Sequence, residues 1–317
     1  MVSEGGNGVK PKVAVILGPT ATGKSHCGIE LAKRLNGEII SGDSMLVYKK
    51  MNIGTAKPTA EELASVPHHL IDILPPEAEF SVVDFKALAE PLIADINNRG
   101  KLPIIVGGTG LYIKALLENY EFNTVEECSE LRQELEEFAK SSGNAALHAK
   151  LRQIDPAAAD RLHSNDVRRV IRAIEAAEGG EKITHQKAGE WPYDAVVFGL
   201  RMERDVLYAR INDRVDKMLA DGLIEETKAL LAGGLAADAL SMRSIGYRQM
   251  TWYLQGAMAK DAAVDKLKQA TRNFAKRQFT WYRQMPYIKW FDLDQRPDYE
   301  KIIDDMQQML VEKFKLR

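Results

Sequence analysis

The stretch Gly18-Pro19-Thr20-Ala21-Thr22-Gly23-Lys24-Ser25 decides the fold. It fits G-x-x-x-x-G-K-[ST] at every position, the pattern of a loop whose backbone amides close around phosphate oxygens. Upstream, Lys12-Val13-Ala14-Val15-Ile16-Leu17 is an apolar run that reads as a buried strand. Downstream, the residues from Ser25 to Leu35 space their apolar members as a helix does. Strand, loop and helix in that order are the context the motif requires. The glycines permit a tight backbone, and the helix N-terminus adds partial positive charge. Lys24 supplies a point charge, and the Ser25 hydroxyl is placed to hold Mg²⁺, the implied cofactor. All residues from 18 to 25 are therefore candidate ligands of a pyrophosphate or polyphosphate.

Working outward, short apolar segments at 13–17, 38–41, 70–73, 103–106, 195–200 and 287–291 recur at helix-sized intervals. The pattern predicts an α/β fold: a P-loop NTPase-like parallel sheet flanked by helices. The rhythm breaks between Leu117 and Tyr193, where no strand pattern occurs and Glu121, Glu126, Glu127, Glu130, Glu134, Glu136 and Glu137 face a single Arg132 up to position 137. An acidic helical face of this kind is ordinarily solvated. We expect a catalytic core at 1–116 and 198–317, closed by C-terminal helices, with an all-helical insertion at 117–197. A chain of 317 residues, 45% hydrophobic, can bury such a core. The net charge of −2 says little about partners. Two cysteines, Cys27 and Cys128, are too few for a disulfide framework or a Cys-rich zinc site. The polar, Gly-rich start up to Lys10 lacks a signal-peptide core, and no run reaches the ~18 apolar residues of a membrane span. The expectation is a cytoplasmic, monomeric protein with no membrane partner.

Several further residues carry chemistry. Asp43 follows Glu38-Ile39-Ile40-Ser41-Gly42 and so stands just past the carboxyl end of a strand, where open α/β sheets bind ligands. A helix-capping or turn aspartate is the plainer alternative. Gly107-Gly108-Thr109-Gly110 ends another strand. It is either a tight strand-to-helix turn or a second wall of the same crevice, with Thr109 donating to developing negative charge. His68 and His69 are neighbours on a strand and point to opposite faces, which favours structural roles over a shared metal. In the 165–172 segment, Val167, Val170, Ile171 and Ile174 form a buried stripe, while Arg168 and Arg172 share another face beside Arg169. Between Lys266 and Lys289 lie seven Lys/Arg and no Asp/Glu, interleaved with aromatics, and Lys268, Arg272 and Lys276 fall on one helical face. A near-neutral chain that concentrates positive charge in this way is suited to a polyanion. Arg243 is a candidate bidentate phosphate ligand. The base-reading motif N-K-x-D is absent, which argues against a GTPase switch.

Taken in order, GPTATGKS at 18–25, SGDSMLVYKKMNIGTAKP at 41–58, HHLIDI at 68–73, VGGTGLYIKAL at 106–116, NDVRRVIRAIE at 165–175, SIGYRQM at 244–250 and TRNFAKRQFTW at 271–281 resemble the tRNA dimethylallyltransferase (isopentenyltransferase) family over nearly the whole chain. Many members carry Gln where this chain has Leu46, and the zinc finger of many eukaryotic members is lacking, so the resemblance is to the bacterial type. It implies transfer of a dimethylallyl group from dimethylallyl diphosphate to the N6 of the adenosine just 3′ of a tRNA anticodon, with release of pyrophosphate. By this resemblance Asp43 is the base, with Thr109 and Arg243 completing the catalytic set. Asp43, Ser44, Met45, Leu46 and Thr109 would meet the nucleotide. Arg132, Arg168, Arg169, Arg172, Arg272, Lys276, Arg277, Gln278 and Arg283 would grip the tRNA anticodon stem-loop. The competing reading is a P-loop small-molecule kinase binding ATP, for which no compact lid sequence is evident.

Overall fold

A computed structural model of the chain describes residues 10–122, 129–179 and 190–316. The polar start, Glu126, Glu127 and Cys128 lie outside the described residues. The chain divides into two compact units, Met1–Glu118 with Trp191–Arg317, and Asn119–Glu190.

In the larger unit the described residues form six strands, β1 (Lys12–Leu17), β2 (Gly37–Ser41), β3 (His68–His69), β4 (Leu102–Gly107), β5 (Asp194–Met202) and β6 (Lys289–Leu293). They pair in the order β3-β2-β4-β1-β5-β6, every pair parallel. The helices before the smaller unit are α1 (Lys24–Arg34), α2 (Ala60–Ser65), α3 (Val82–Asn98) and α4 (Gly110–Leu117). The smaller unit holds α5 (Ser129–Ser142), α6 (Asn144–Ile154), α7 (Pro156–Arg161) and α8 (Val167–Glu178). The larger unit resumes with α9 (Arg204–Ala220), α10 (Leu223–Ala232), α11 (Tyr247–Leu254), α12 (Lys260–Tyr282) and α13 (Tyr299–Phe314).

The apolar run of β1 is buried on both faces because successive side chains alternate. Val13, Val15 and Leu17 join one core cluster, and Ala14 and Ile16 the other. In the smaller unit Val170, Ile171 and Ile174 pack with Leu135, Leu147 and Leu151, so the stripe read from the sequence is a core. Cys27 is buried, and burial pushes its thiol up to about 12, which makes it inert near neutral pH. Among the described residues no helix is long and apolar enough to cross a membrane.

Two expectations require correction. The strand placed at 70–73 is absent; β3 stops at His69 because Leu70 and Asp72 adopt left-handed backbones, with φ of 61° and 55°. The chain turns there for a reason. The amides of Asp72, Ile73 and Leu74 donate to the carbonyls of Leu46 and Val47, and Asp72 pairs with the ammonium of Lys57. The 70–74 segment thus props the loop that follows Asp43 instead of extending the sheet. The insertion is also shorter than 117–197 at its C-terminal end. β5 opens at Asp194, whose neighbours Ala195 and Val196 pair with Val13 and Ala14, because the apolar 195–200 run is long enough to bury a whole strand.

At the opposite end from the strand termini discussed below, the Glu38 carboxylate is buried, its side chain 3% exposed. Arg99 grips it with both guanidinium nitrogens, Lys101 Nζ lies 2.7 Å away and His69 Nε2 2.8 Å away. His69 is therefore structural, and His68 Nδ1 meets the Val66 carbonyl at 2.8 Å. The Arg99 bond chiefly, against the opposing pull of burial, holds Glu38 far below the usual carboxylate range. A depressed carboxyl stabilises the fold above the unfolded pKa, and that contribution is lost as pH falls. Glu38→Gln should lower unfolding free energy in urea by about 2 kcal/mol at pH 7. The deficit relative to the parent should shrink below pH ~4.3, where the unfolded parent takes up the proton. A deficit that stays constant to pH ~3 would contradict this assignment.

Candidate active site

Strand order places three sequence features side by side. β2, β4 and β1 are consecutive in the sheet, with Ser41 opposite Val106 and Leu17 opposite Gly107. Their carboxyl ends deliver Asp43, the 107–110 turn and the 18–25 loop to one crevice. Asp43 and the glycine turn therefore stand at the same crevice as the 18–25 loop.

The 18–25 loop is held by its carbonyls. Gly18 O accepts from the Tyr282 hydroxyl (3.0 Å), and Pro19 O from Thr22 Oγ1 (2.8 Å) and Lys24 Nζ (3.2 Å). Ala21 O accepts from Arg210 Nε (3.0 Å), and Thr22 O from the Tyr299 hydroxyl (3.2 Å), which Arg210 Nη2 also contacts. Ala21 and Gly23 take left-handed backbones with φ of 68° and 82°. Gly23 has no alternative, since a Cβ there would fall 2.5 Å from the Tyr299 oxygen. α1 starts at Lys24, and the amides of its first turn have no intrahelical acceptor. Carbonyls fastened outward and amides left at a helix N-terminus make an anion nest.

The crevice encloses a cavity of about 410 Å³, of a size that suits a small ligand. Lys24, Arg214, Arg243, Arg248 and Arg277 line it against one carboxylate, Asp43. Burial, then the neighbouring Arg214, lowers the Lys24 ammonium to about 8, with Asp43 pulling the other way. Burial likewise lowers Arg214, again opposed by Asp43. Asp43 Oδ1 accepts the Met45 amide at 2.8 Å, which fixes the carboxyl's orientation. The Thr109 hydroxyl accepts the Ser44 amide at 3.3 Å, and the Thr109 amide reaches Gly42 O at 3.4 Å. Thr109 therefore braces the Asp43 loop without itself lining the cavity. Gly107 lies so close to Gly42 that a Cβ would fall 2.3 Å from the Gly42 oxygen. The loop beyond is pinned from α10. Glu226 accepts the amides of Asn52 (2.9 Å), Ile53 (3.0 Å) and Gly54 (3.2 Å), and the Tyr247 hydroxyl bonds the same carboxylate.

The residues expected from sequence separate cleanly. Thr20, Lys24, Ser25, Asp43, Ser44, Met45, Leu46, Arg243, Arg277 and Gln278 converge on the cavity. Gly18, Pro19, Ala21, Thr22 and Gly23 shape the loop through their backbone. Gln278 differs from expectation: it is 4% exposed, its Nε2 donates to Gly108 O (2.9 Å) and its Oε1 accepts from Thr20 N (3.2 Å). Both ends of the amide are held by protein. The basic face of α12 is also reduced. Lys268 pairs with Asp216, and Arg272 donates to Asn212 Oδ1 (2.7 Å) beside the Tyr208 ring, while Lys276 and Arg283 are exposed. In the smaller unit Arg132 and Arg172 both bond the buried Glu175, whereas Arg168 and Arg169 are exposed. A cation beside a buried carboxylate is held there by the cost of leaving that charge alone.

Arg214 and Arg248 were missed. The signal for Arg214 was present: it falls on the α9 stripe of Leu207, Ile211 and Val215, all buried. A charge on an apolar stripe has to meet a partner or a ligand.

Comparison with known proteins agrees with the geometry. The chain is 48% identical over 311 residues to the tRNA dimethylallyltransferase of Halalkalibacterium halodurans, covering 96% of this chain and 98% of that one. It is 50% identical over 286 residues to the tRNA dimethylallyltransferase of Carboxydothermus hydrogenoformans, covering 89% and 92%. Its structure resembles that of the tRNA isopentenylpyrophosphate transferase from Bacillus halodurans, with TM-score 0.74, 48% identity and coverage of 96% and 97%. It also resembles a eukaryotic dimethylallyltransferase described as acting on tRNA, with TM-score 0.77, 30% identity and coverage of 95% and 77%. The family model described as IPP transferase matches residues 46–285, and the chain belongs to that family.

Proposed function

We propose that the chain transfers a dimethylallyl group from dimethylallyl diphosphate to N6 of the adenosine just 3′ of a tRNA anticodon. The observation that carries this reading is the cavity's charge pattern: five cations gathered beside an anion nest, with Asp43 the single carboxylate. A leaving diphosphate needs the first, and a poorly nucleophilic amine needs the second. The kinase reading loses to it, because the relatives at 45–50% identity are transferases.

The chemistry follows from the geometry. The N6 lone pair is delocalised into the purine, so attack on C1 of the allyl group requires help. As the N6–C1 bond forms and the C1–O bond breaks, the amine proton passes to Asp43. The bond from Met45 N holds the Asp43 carboxyl in one orientation for this transfer. Negative charge develops on the departing diphosphate, where Lys24, Arg214, Arg243 and the loop amides stabilise it. Ser25 lines the cavity beside Lys24, and its hydroxyl is an oxygen donor that would suit Mg²⁺. When bound, Mg²⁺ would supply further charge neutralisation for the leaving group.

A stacked base cannot reach Asp43, so the adenosine must leave its stack, which costs less in a loop than in a duplex. Exposed Lys276, Arg277 and Arg283 on and just beyond α12, and Arg168 and Arg169 on α8, are the cations suited to the phosphates of the anticodon stem-loop. The protein is read as cytoplasmic, as its substrate would require.

Incubation with dimethylallyl diphosphate, Mg²⁺ and unmodified tRNA should add one five-carbon group per tRNA, detected by nucleoside mass spectrometry. Asp43→Asn should cut the transfer rate roughly 10²-fold or more while leaving tRNA affinity within about twofold. Wild-type turnover in that variant would remove Asp43 from the role of base. Lys24 generates a second expectation. With its ammonium at about 8, the protonated form that attracts an anion is lost as pH rises through that value. Affinity for inorganic diphosphate should fall above pH 8 by up to about tenfold per unit more steeply than in Lys24→Met. Parallel pH profiles for the two proteins would contradict the assignment.

A further inference from the structure

The two glycine-rich turns that wall the cavity meet at the Leu17–Gly107 pairing of β1 and β4, and beyond it α12 is bonded to both. Gln278 and Tyr282 are one helical turn apart on its buried side and enter the gap together. Tyr282 is 1% exposed, and its hydroxyl stands 3.0 Å from Gly18 O and 3.1 Å from Gly108 O. A phenol has one proton, so that proton is shared between a carbonyl of the phosphate loop and a carbonyl of the second turn. Burial pushes the phenol far above its ordinary range, so the proton stays in place at any working pH. Gln278 repeats the bridge with opposite polarity, donating to Gly108 O and accepting from Thr20 N.

Packing leaves this arrangement no slack. A Cβ on Gly108 would fall 2.2 Å from Gln278 Nε2, and one on Gly110 would fall 2.6 Å from Trp281 Cβ. The turn and the helix are therefore in direct contact. Downstream of Gly108, Thr109 braces the Asp43 loop through the Ser44 amide. A continuous run of bonds thus leads from the phosphate loop through Tyr282 and Gln278 to the 107–110 turn and on to Asp43.

We propose that Tyr282 and Gln278 are positioning residues: a two-rung strut that sets the distance between the leaving-group site and the base. The inference rests on the proposed function, since the strut matters only if the 18–25 loop holds a diphosphate. In a displacement, the nucleophile, the carbon and the leaving oxygen must be aligned at contact distance, and small misplacements are costly. The strut fixes that alignment before either substrate arrives. It also reassigns Gln278 from recognition of RNA to internal geometry.

The test compares wild type, Tyr282→Phe, Gln278→Ala and the double variant. Four quantities are read: affinity for inorganic diphosphate with Mg²⁺, single-turnover transfer rate at saturating tRNA, tRNA affinity, and urea midpoint. Tyr282→Phe keeps the ring and removes only the shared proton. It should slow single turnover about tenfold, the scale of one lost hydrogen bond. Diphosphate affinity should fall about threefold or more, and tRNA affinity should stay within twofold. The double variant should lose less than the product of the single losses, because both rungs end on Gly108 O. A Tyr282→Phe protein with a lowered urea midpoint but unchanged single-turnover rate and diphosphate affinity would overturn the strut. So would a Gln278→Ala protein that weakens tRNA binding alone. Wild-type protein that fails to bind diphosphate would contradict the proposed function and the strut with it. Normal wild-type binding matched by Tyr282→Phe would contradict the strut alone.

Discussion

Everything at the crevice depends on the outward fastening of the phosphate loop's carbonyl oxygens. Gly18, Pro19, Ala21 and Thr22 each give their carbonyl to a donor from α9, α12, α13 or the loop itself. A buried carbonyl without a donor is expensive, so these bonds set the loop's conformation even where Ala21 must adopt a left-handed backbone. A nest formed in advance needs no reorganisation when charge builds on a leaving group, and that preorganisation is the source of its catalytic value.

The same constraint explains why a loop known from phosphoryl transfer suits alkyl transfer. The nest is indifferent to which bond of a diphosphate breaks. In the proposed reaction the deciding group is the one across the cavity, Asp43, oriented by the Met45 amide and carried on a loop braced by Thr109. Burial lowers both Lys24 and Arg214, repulsion from Arg214 lowers Lys24 further, and Asp43 compensates in part. An incoming diphosphate relieves that repulsion.

Much of this was legible in the residues. The phosphate loop, Asp43 and the 107–110 turn could be read because each sits at the end of an apolar run, and parallel strands bring their carboxyl ends together. The helical stripe of α8 could be read from its period. What resisted reading was tertiary. Leu70 and Asp72 look like strand continuation, and nothing local announces their left-handed turn toward the Asp43 loop. Gln278 sits among basic residues and reads as surface, although it shares the buried stripe of Leu267, Ala275 and Tyr282. Arg132 and Arg172 read as RNA contacts, and nothing local shows that both also bond Glu175, far along the sequence from Arg132. Charge alone cannot tell an arginine awaiting a ligand from one already paired.

The most direct measurement of the central claim is a crystal structure of the protein with inorganic diphosphate and Mg²⁺. The account predicts the ion seated on the 18–25 amides, between Lys24 and Arg214, with Asp43 across the cavity and the carbonyl bonds of the loop unchanged. Diphosphate bound elsewhere, or a loop that breaks its ties to Tyr282 and Arg210 in order to accept it, would contradict the account.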